Sequence, residues 1–276
     1  MRVNLQDAEL ERVNGINITL WKPRDPPSGT VNGLQLGLVP GSLEVNGIGV
    51  GLGGIVAERR LRWLSVGGLG AVSNGSLDGL AIGGLGLVAN GDIRGVALGG
   101  LGAVANGDIR GAVIGGLGAV ADRDIRGIAA GGLGTVANGR LTGVAAGGLA
   151  TVANGSVTGL AAGGLVVVTN GRLAGVGLAG LAVVADEGIT GLSVAGYRVD
   201  SRRVTGLNLA GLYLKTRELS GLSVSAYNRV RGLQRGVTIG IYNSAYVLRG
   251  VQIGVVNRAK NNRGIFRVLP LLNAHL

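Results

Sequence analysis

From Trp63 to Val194 the chain repeats one 16-residue phrase, most of which reads Leu77-Asp78-Gly79-Leu80-Ala81-Ile82-Gly83-Gly84-Leu85-Gly86-Leu87-Val88-Ala89-Asn90-Gly91. A glycine marks the period at Gly79, Gly95, Gly111, Gly127, Gly143, Gly159, Gly175 and Gly191. Helical-hairpin repeats and propeller blades need about 33 residues or more per unit, so neither accommodates this step. At about 3.3 Å per residue such a unit has a perimeter of about 53 Å, enough for two short strands joined by tight turns. The expected fold is therefore all-β, a single elongated parallel β-solenoid (β-helix) with coils of about 16 residues. Gly83-Gly84 and its copies make one turn, and Asn90-Gly91-Asp92 and its copies make the other, with Asn or Gly supplying positive φ. Asn74, Asn90, Asn106 and their successors form a turn column in which the amides can bond one another in a ladder.

Glycine supplies 56 of the 276 residues and proline only 5, and the glycines keep register, which excludes both collagen and a disordered low-complexity chain. With no cysteine, there is no disulfide and no thiolate chemistry. The segment from Leu141 to Gly171 carries no charge and would pass as a membrane span on hydropathy, but Asn138-Gly139, Asn154-Gly155 and Asn170-Gly171 punctuate it at the coil period. The first residues show no signal-peptide core, and localisation is left open.

Four parts follow in order. Residues 1–13, with Asp7, Glu9, Glu11 and Arg12, form an N-terminal cap; residues 14–194 form the regular solenoid, interrupted by a Pro-rich loop at 21–29; residues 195–263 form basic, tyrosine-bearing coils; residues 264–276 form a C-terminal cap. The marker glycines fall 15 apart at Gly191, Gly206, Gly221 and Gly236, then 14 apart at Gly250 and Gly264, so the coils shorten. Counting each marker, with Trp63 in the glycine slot once, gives about 17 coils. Within the coil, the columns headed by Leu77, Leu69, Val72 and Leu80 are assigned to the core, which makes Leu117 a core residue. The columns headed by Ala81 and Gly70 are assigned to flat outer faces.

Chemistry is sparse. The sole histidine is His275, so no Ser-His-Asp set and no histidine metal cluster can be drawn, and neither catalytic, cofactor nor metal residues are expected. Asp122-Arg123-Asp124 and Asp186-Glu187 repeat the ordinary corner, and Gly99-Gly100-Leu101-Gly102 mimics a phosphate loop with no helix to follow it. Flat apolar faces suit packing against another protein or against ice, but the one hydroxyl column, Thr142, Thr158 and Thr190, is single and interrupted by Ala174. A membrane β-barrel would need spanning strands of about 9 to 11 residues, longer than these.

Residues 1–194 hold thirteen basic and thirteen acidic residues, whereas 195–276 hold thirteen basic and two acidic, so the whole net charge of +11 sits in the last third. Arg198, Arg202, Arg203, Lys215, Arg217, Arg229, Arg231 and Arg235 are the candidate anion-binding residues there, for nucleic acid, lipopolysaccharide, an anionic lipid surface or an acidic protein.

Ile109-Arg110-Gly111, Gly99 to Gly107, Leu248 to Asn257 and Val268-Leu269-Pro270-Leu271-Leu272-Asn273-Ala274 resemble the wording of an uncharacterised bacterial surface-repeat family. The resemblance implies an envelope-associated or secreted β-solenoid without assigned activity. The expected function is a non-enzymatic scaffold that packs against a protein partner or itself through flat Ala/Gly faces. The alternatives are a polyanion-binding module and, further off, an ice-binding protein.

Overall fold

Stacked coils account for nearly every residue. A computed structural model of the chain describes residues 1–7 and 10–275; Glu9, counted above with the N-terminal cap, lies outside the described residues. Backbone contacts divide the protein into two units, Met1–Gly143 and Val144–Leu276, and each is a parallel β-solenoid. In the first unit the strand Arg2–Gln6 pairs in parallel with Arg12–Trp21, which pairs with Thr30–Val39 and so on through Gly41–Gly51 and Gly54–Gly67. Pro23 to Gly29 form the expected loop between the second and third of these strands, with Pro23 and Pro27 buried. Thereafter each coil holds a longer strand such as Ile109–Gly115 and a four-residue strand such as Gly118–Ala121. Ile109 pairs with Ile125 and Gly102 with Gly118, a constant offset of one repeat. In the second unit Val157–Gly163 stacks on Arg172–Ala179 in the same way.

The core is a single layer of inward side chains. In one coil these are Ile109, Val113, Ala119 and Ala121, all fully buried, together with buried Gly115. The Leu77 column is thus in the core as expected, but the other three assignments are inverted. Leu117 is 49% exposed, Leu85 and Leu101 are each 51% exposed, and Val72, Val88, Leu80 and Val96 also face out. Ala81, Ala97, Val113, Ala129, Ala145 and Ala161 point inward. Ile109 and Val113 stand four residues apart, an even step, so alternation counted from the Leu77 column carries the Ala81 column inward and the Leu80 column outward. Choosing the larger aliphatic side chain for the interior, against that alternation, is what inverts the assignment. The marker Gly111, at φ +129, stands exposed between the two inward positions.

Two glycines of the regular coil press against the backbone of the coil before. A Cβ on Gly111 would meet the carbonyl oxygen of Gly95 at 2.1 Å, and one on Gly116 would meet that of Gly100 at 1.8 Å. Both contacts are with the backbone one coil earlier. Trp63 occupies the marker slot at φ +76 with its side chain 74% exposed. Gly264, counted as a further coil, lies instead in the 3-10 turn Gly264–Arg267, so the repeat stops one copy sooner.

Coils shorten by losing corner residues, as the spacing of buried positions shows. From Ala121 to Ile125 the step is four, but from Ser201 to Val204 it is three, because the Asn corner has lost a residue. Between Ser225 and Asn228 the Gly-Gly turn has lost one instead. The coil from Gln234 to Leu248 lacks both, and the strand Tyr227–Ala259 runs unbroken for 33 residues. Its core is polar. Asn228, Asn243 and Asn257 are fully buried, Asn228 Nδ2 donates to Asn243 Oδ1 at 2.8 Å, and Asn243 Nδ2 donates to Asn257 Oδ1 at 2.8 Å. Gln252 Nε2 donates to Gln234 Oε1 at 3.0 Å in the neighbouring column. The strand Val268–His275 then lies antiparallel on the last coil, with Gly250 opposite His275.

Ile109→Ala opens a cavity between stacked coils and is expected to cost about 2–4 kcal/mol, whereas Leu117→Gln is expected to stay within about 0.5 kcal/mol. Thermal melting of both variants checks the inward and outward assignment; equal losses contradict it. Trp63→Gly removes a side chain from a left-handed backbone position and is expected to raise the melting temperature, by up to about 1 kcal/mol of stability. A lower melting temperature would show that the indole packs more than its exposure suggests.

Candidate interaction surfaces

The turn that follows the two glycines fixes a row of leucines. Leu101 N–H donates to Leu85 O at 2.5 Å, Leu117 N–H to Leu101 O at 2.5 Å and Leu133 N–H to Leu117 O at 2.7 Å. These backbone bonds hold successive leucines in line, and their side chains, about half exposed, form an outward ladder. In the first unit it runs through Leu69, Leu85, Leu101, Leu117 and Leu133; in the second, Leu149, Leu165 and Leu181 repeat the position. Val88 and Val96 in adjacent columns add to the apolar outer surface. The faces are thus aliphatic rather than Ala/Gly.

The opposite corner is polar. Asn90 Nδ2 donates to Asn74 Oδ1 at 3.1 Å and Asn106 Nδ2 to Asn90 Oδ1 at 3.2 Å, which is the expected amide ladder. Next to it, each aspartate carboxylate accepts from the backbone of the following coil. Asp108 N–H donates to Asp92 Oδ1 at 2.9 Å, Asp124 N–H to Asp108 Oδ1 at 3.2 Å and Arg140 N–H to Asp124 Oδ1 at 2.8 Å. The second oxygen of each takes an arginine two residues on: Arg94 at 2.7 Å, Arg110 at 2.7 Å and Arg126 at 2.9 Å. The backbone N–H of Arg140 is the main cause that holds the Asp124 carboxyl below its ordinary range; partial burial opposes it, and Arg126 and Arg140 reinforce it. At Asp92 burial acts upward most strongly, but the Asp108 N–H and the Arg94 and Arg110 guanidiniums together outweigh it and the carboxyl is again lowered. These acids are coil-to-coil staples. Among the described residues no three His, Cys, Asp or Glu side chains come together as a metal-holding group. His275 Nδ1 lies 2.6 Å from Asn262 Oδ1, far in sequence from any of these corners.

The basic third divides in two. Arg198 is paired with Asp200, Lys215 Nζ lies 3.5 Å from the same carboxylate, and Arg203 Nε bonds Glu218 at 2.9 Å, so three of the expected anion-binding residues already have acidic partners. Arg202, Arg217 and Arg235 are exposed on the surface. Arg229 and Arg231 join Tyr213, Tyr227, Tyr242 and Ser244 around a cleft of about 490 Å³. A second cleft of about 720 Å³ is lined by Tyr242, Tyr246, Arg258, Lys260, Asn261 and Arg267. Tyr227 and Tyr242 rings approach with centroids 6.4 Å apart, and Lys260 Nζ stands 4.9 Å over the Tyr246 ring. Arg258, Lys260 and Arg267 belong to the same basic third that the sequence marks as able to hold an anionic partner. The 14-residue step brings Arg258 back beside the tyrosines, an alignment that a fixed 16-residue period does not display.

Because the folded Asp124 carboxyl titrates below its unfolded value of about 3.9, its contribution is complete above that pH and is lost as pH falls through the lowered folded value. Asp124→Asn is expected to cost about 1 kcal/mol at neutral pH and to flatten the loss of stability on acidification below about pH 4. Acid titrations of the two proteins followed by circular dichroism check this; parallel curves contradict it. No family model, no curated protein and no solved structure matches the chain.

Proposed function

We propose that the protein is a non-enzymatic β-solenoid scaffold that associates with a second copy of itself through its outward leucine ladders. The observation that carries this reading is the row of half-exposed leucines repeated in the 16-residue coils, from Leu69 to Leu133 in the first unit and from Leu149 to Leu181 in the second. Isolated exposed apolar residues are ordinary, but a contiguous apolar patch on an ordered surface favours burial against a partner. The rungs of two identical ladders share one spacing, about 4.8 Å, so a second copy meets the first without mismatch along the row. The flat Ala/Gly contact face expected at first is replaced by this aliphatic one, since the alanines are inside. The resemblance to surface-repeat proteins supports a place at a bacterial envelope. Interrupted hydroxyls make ice a poorer partner: Thr142 and Thr158 are exposed, but Ala174 breaks the row.

Sedimentation velocity of the full chain across a concentration series tests the reading. The wild type is expected to show mass-action association and a Leu101→Ser/Leu117→Ser/Leu133→Ser variant to remain monomeric with an unchanged β spectrum. A wild type that stays monomeric throughout, or a variant that associates equally, contradicts it.

A further inference from the structure

The Val144–Leu276 unit carries a second surface of different chemistry. Around its antiparallel strand, Val255, Ile265, Phe266, Val268, Leu271 and Leu272 are between 51% and 80% exposed. Leu271, 76% exposed, is held at φ +61, a left-handed conformation that a non-glycine residue adopts only at a cost. Cations interleave with these side chains. Arg258 pairs in register with Val268, Ile253 pairs with Leu272, and Arg263 and Arg267 flank Ile265 and Phe266. No acidic side chain occurs after Glu218 in the sequence, so this segment supplies no Asp or Glu to pair with them. The 720 Å³ cleft lies in the same region, with Arg258, Lys260 and Arg267 beside Tyr242, Tyr246 and Val256.

We propose that this cationic, aliphatic end docks on an anionic lipid surface, with Ile265, Phe266 and Leu271 entering the acyl boundary and Arg258, Lys260 and Arg267 binding lipid phosphates. Charge and apolarity together select this occupant. A nucleic acid or acidic glycan would satisfy the cations and leave the aliphatic side chains in water. An apolar protein face would cover the aliphatic side chains and bury the cations unpaired. The interface of an anionic bilayer supplies phosphates and hydrocarbon within a few ångströms of each other, and tyrosines are suited to the depth between them. The cleft serves as the headgroup site, and its size is in the range of small-molecule sites, about 300–1,000 Å³.

Flotation of the full chain with vesicles tests the proposal, using phosphatidylcholine alone and phosphatidylcholine mixed with phosphatidylglycerol. The wild type is expected to bind the mixed vesicles at least tenfold more strongly than the neutral ones. Arg258→Gln/Lys260→Gln/Arg267→Gln is expected to weaken that binding on the order of a hundredfold, at about fivefold per cation. Ile265→Ser/Phe266→Ser is expected to weaken it about tenfold and to remove the part that survives high salt. All of these side chains are exposed, and an unchanged β spectrum confirms folding. The leucine-ladder variant is expected to bind vesicles as the wild type does, which separates this site from self-association. Equal binding to both vesicle types, wild-type binding by the triple-cation variant, loss of binding in the ladder variant, or retention on heparin without vesicle binding each overturns the proposal.

Discussion

Backbone hydrogen bonding between a residue and its counterpart one coil later is the constraint on which the other features rest. Once Ile109 is bonded in register with Ile125, the two backbones stand at the strand spacing of about 4.8 Å, and every slot of one coil faces its own copy in the next. At most marker slots the approach leaves no room for a side chain, since a Cβ on Gly127 would lie 2.0 Å from the carbonyl oxygen of Gly111; Trp63 is the exception. The glycine columns are therefore a consequence of stacking rather than of flexibility. The same geometry explains why aspartates follow them at the corner: a carboxylate at 92 or 108 reaches the N–H of the next coil directly.

This dependence explains which parts of the structure the residues disclose. A constant step is visible in any sequence, and it implies parallel coils, two turns and one stack of identical slots. The column of Leu77, Ile93 and Ile109 follows, because those residues precede an exposed charge and stand in a β-branched or leucine series. The rest of the core did not follow. Leucine and alanine occupy alternate slots beyond the marker glycine, and hydrophobicity alone selects leucine for the interior. In the folded coil the inward slots beyond that point hold mostly alanine and valine, with Leu87 buried among them, while the Leu80 and Leu69 columns face out. Period-two alternation counted from Ile109 through Gly111 places Val113 inside and Ala112 outside, so this part of the core was legible in the residues and was outweighed by their hydrophobicity.

The basic third shows the same difficulty in another form. Charge counting identified where cations accumulate, but Arg198, Arg203 and Lys215, early in that segment, turn out to be partnered by Asp200 and Glu218. The unpartnered cleft belongs to later residues, and it forms because the coil has lost residues at both corners. Buried amides accompany that loss: the Asn228, Asn243 and Asn257 column replaces aliphatic packing with side-chain hydrogen bonds that a hydropathy pattern reads as surface. Surface and core therefore exchange their usual composition at opposite ends of the chain, with leucine outside in the regular coils and asparagine inside in the short ones.

The strand Val268–His275 has a consequence for growth of the stack. In the Val144–Leu276 unit the rungs from Val157–Gly163 to Tyr227–Ala259 pair in parallel, so a free edge there offers the N–H and C=O pattern that the next parallel rung requires. A rung laid in the opposite direction, with Pro270 withholding one N–H and a register shift between Gly254 and Asn257, presents a pattern that no further coil of this kind can copy. The antiparallel rung acts as a full stop in a templating process: at that edge of its unit the stack is written shut.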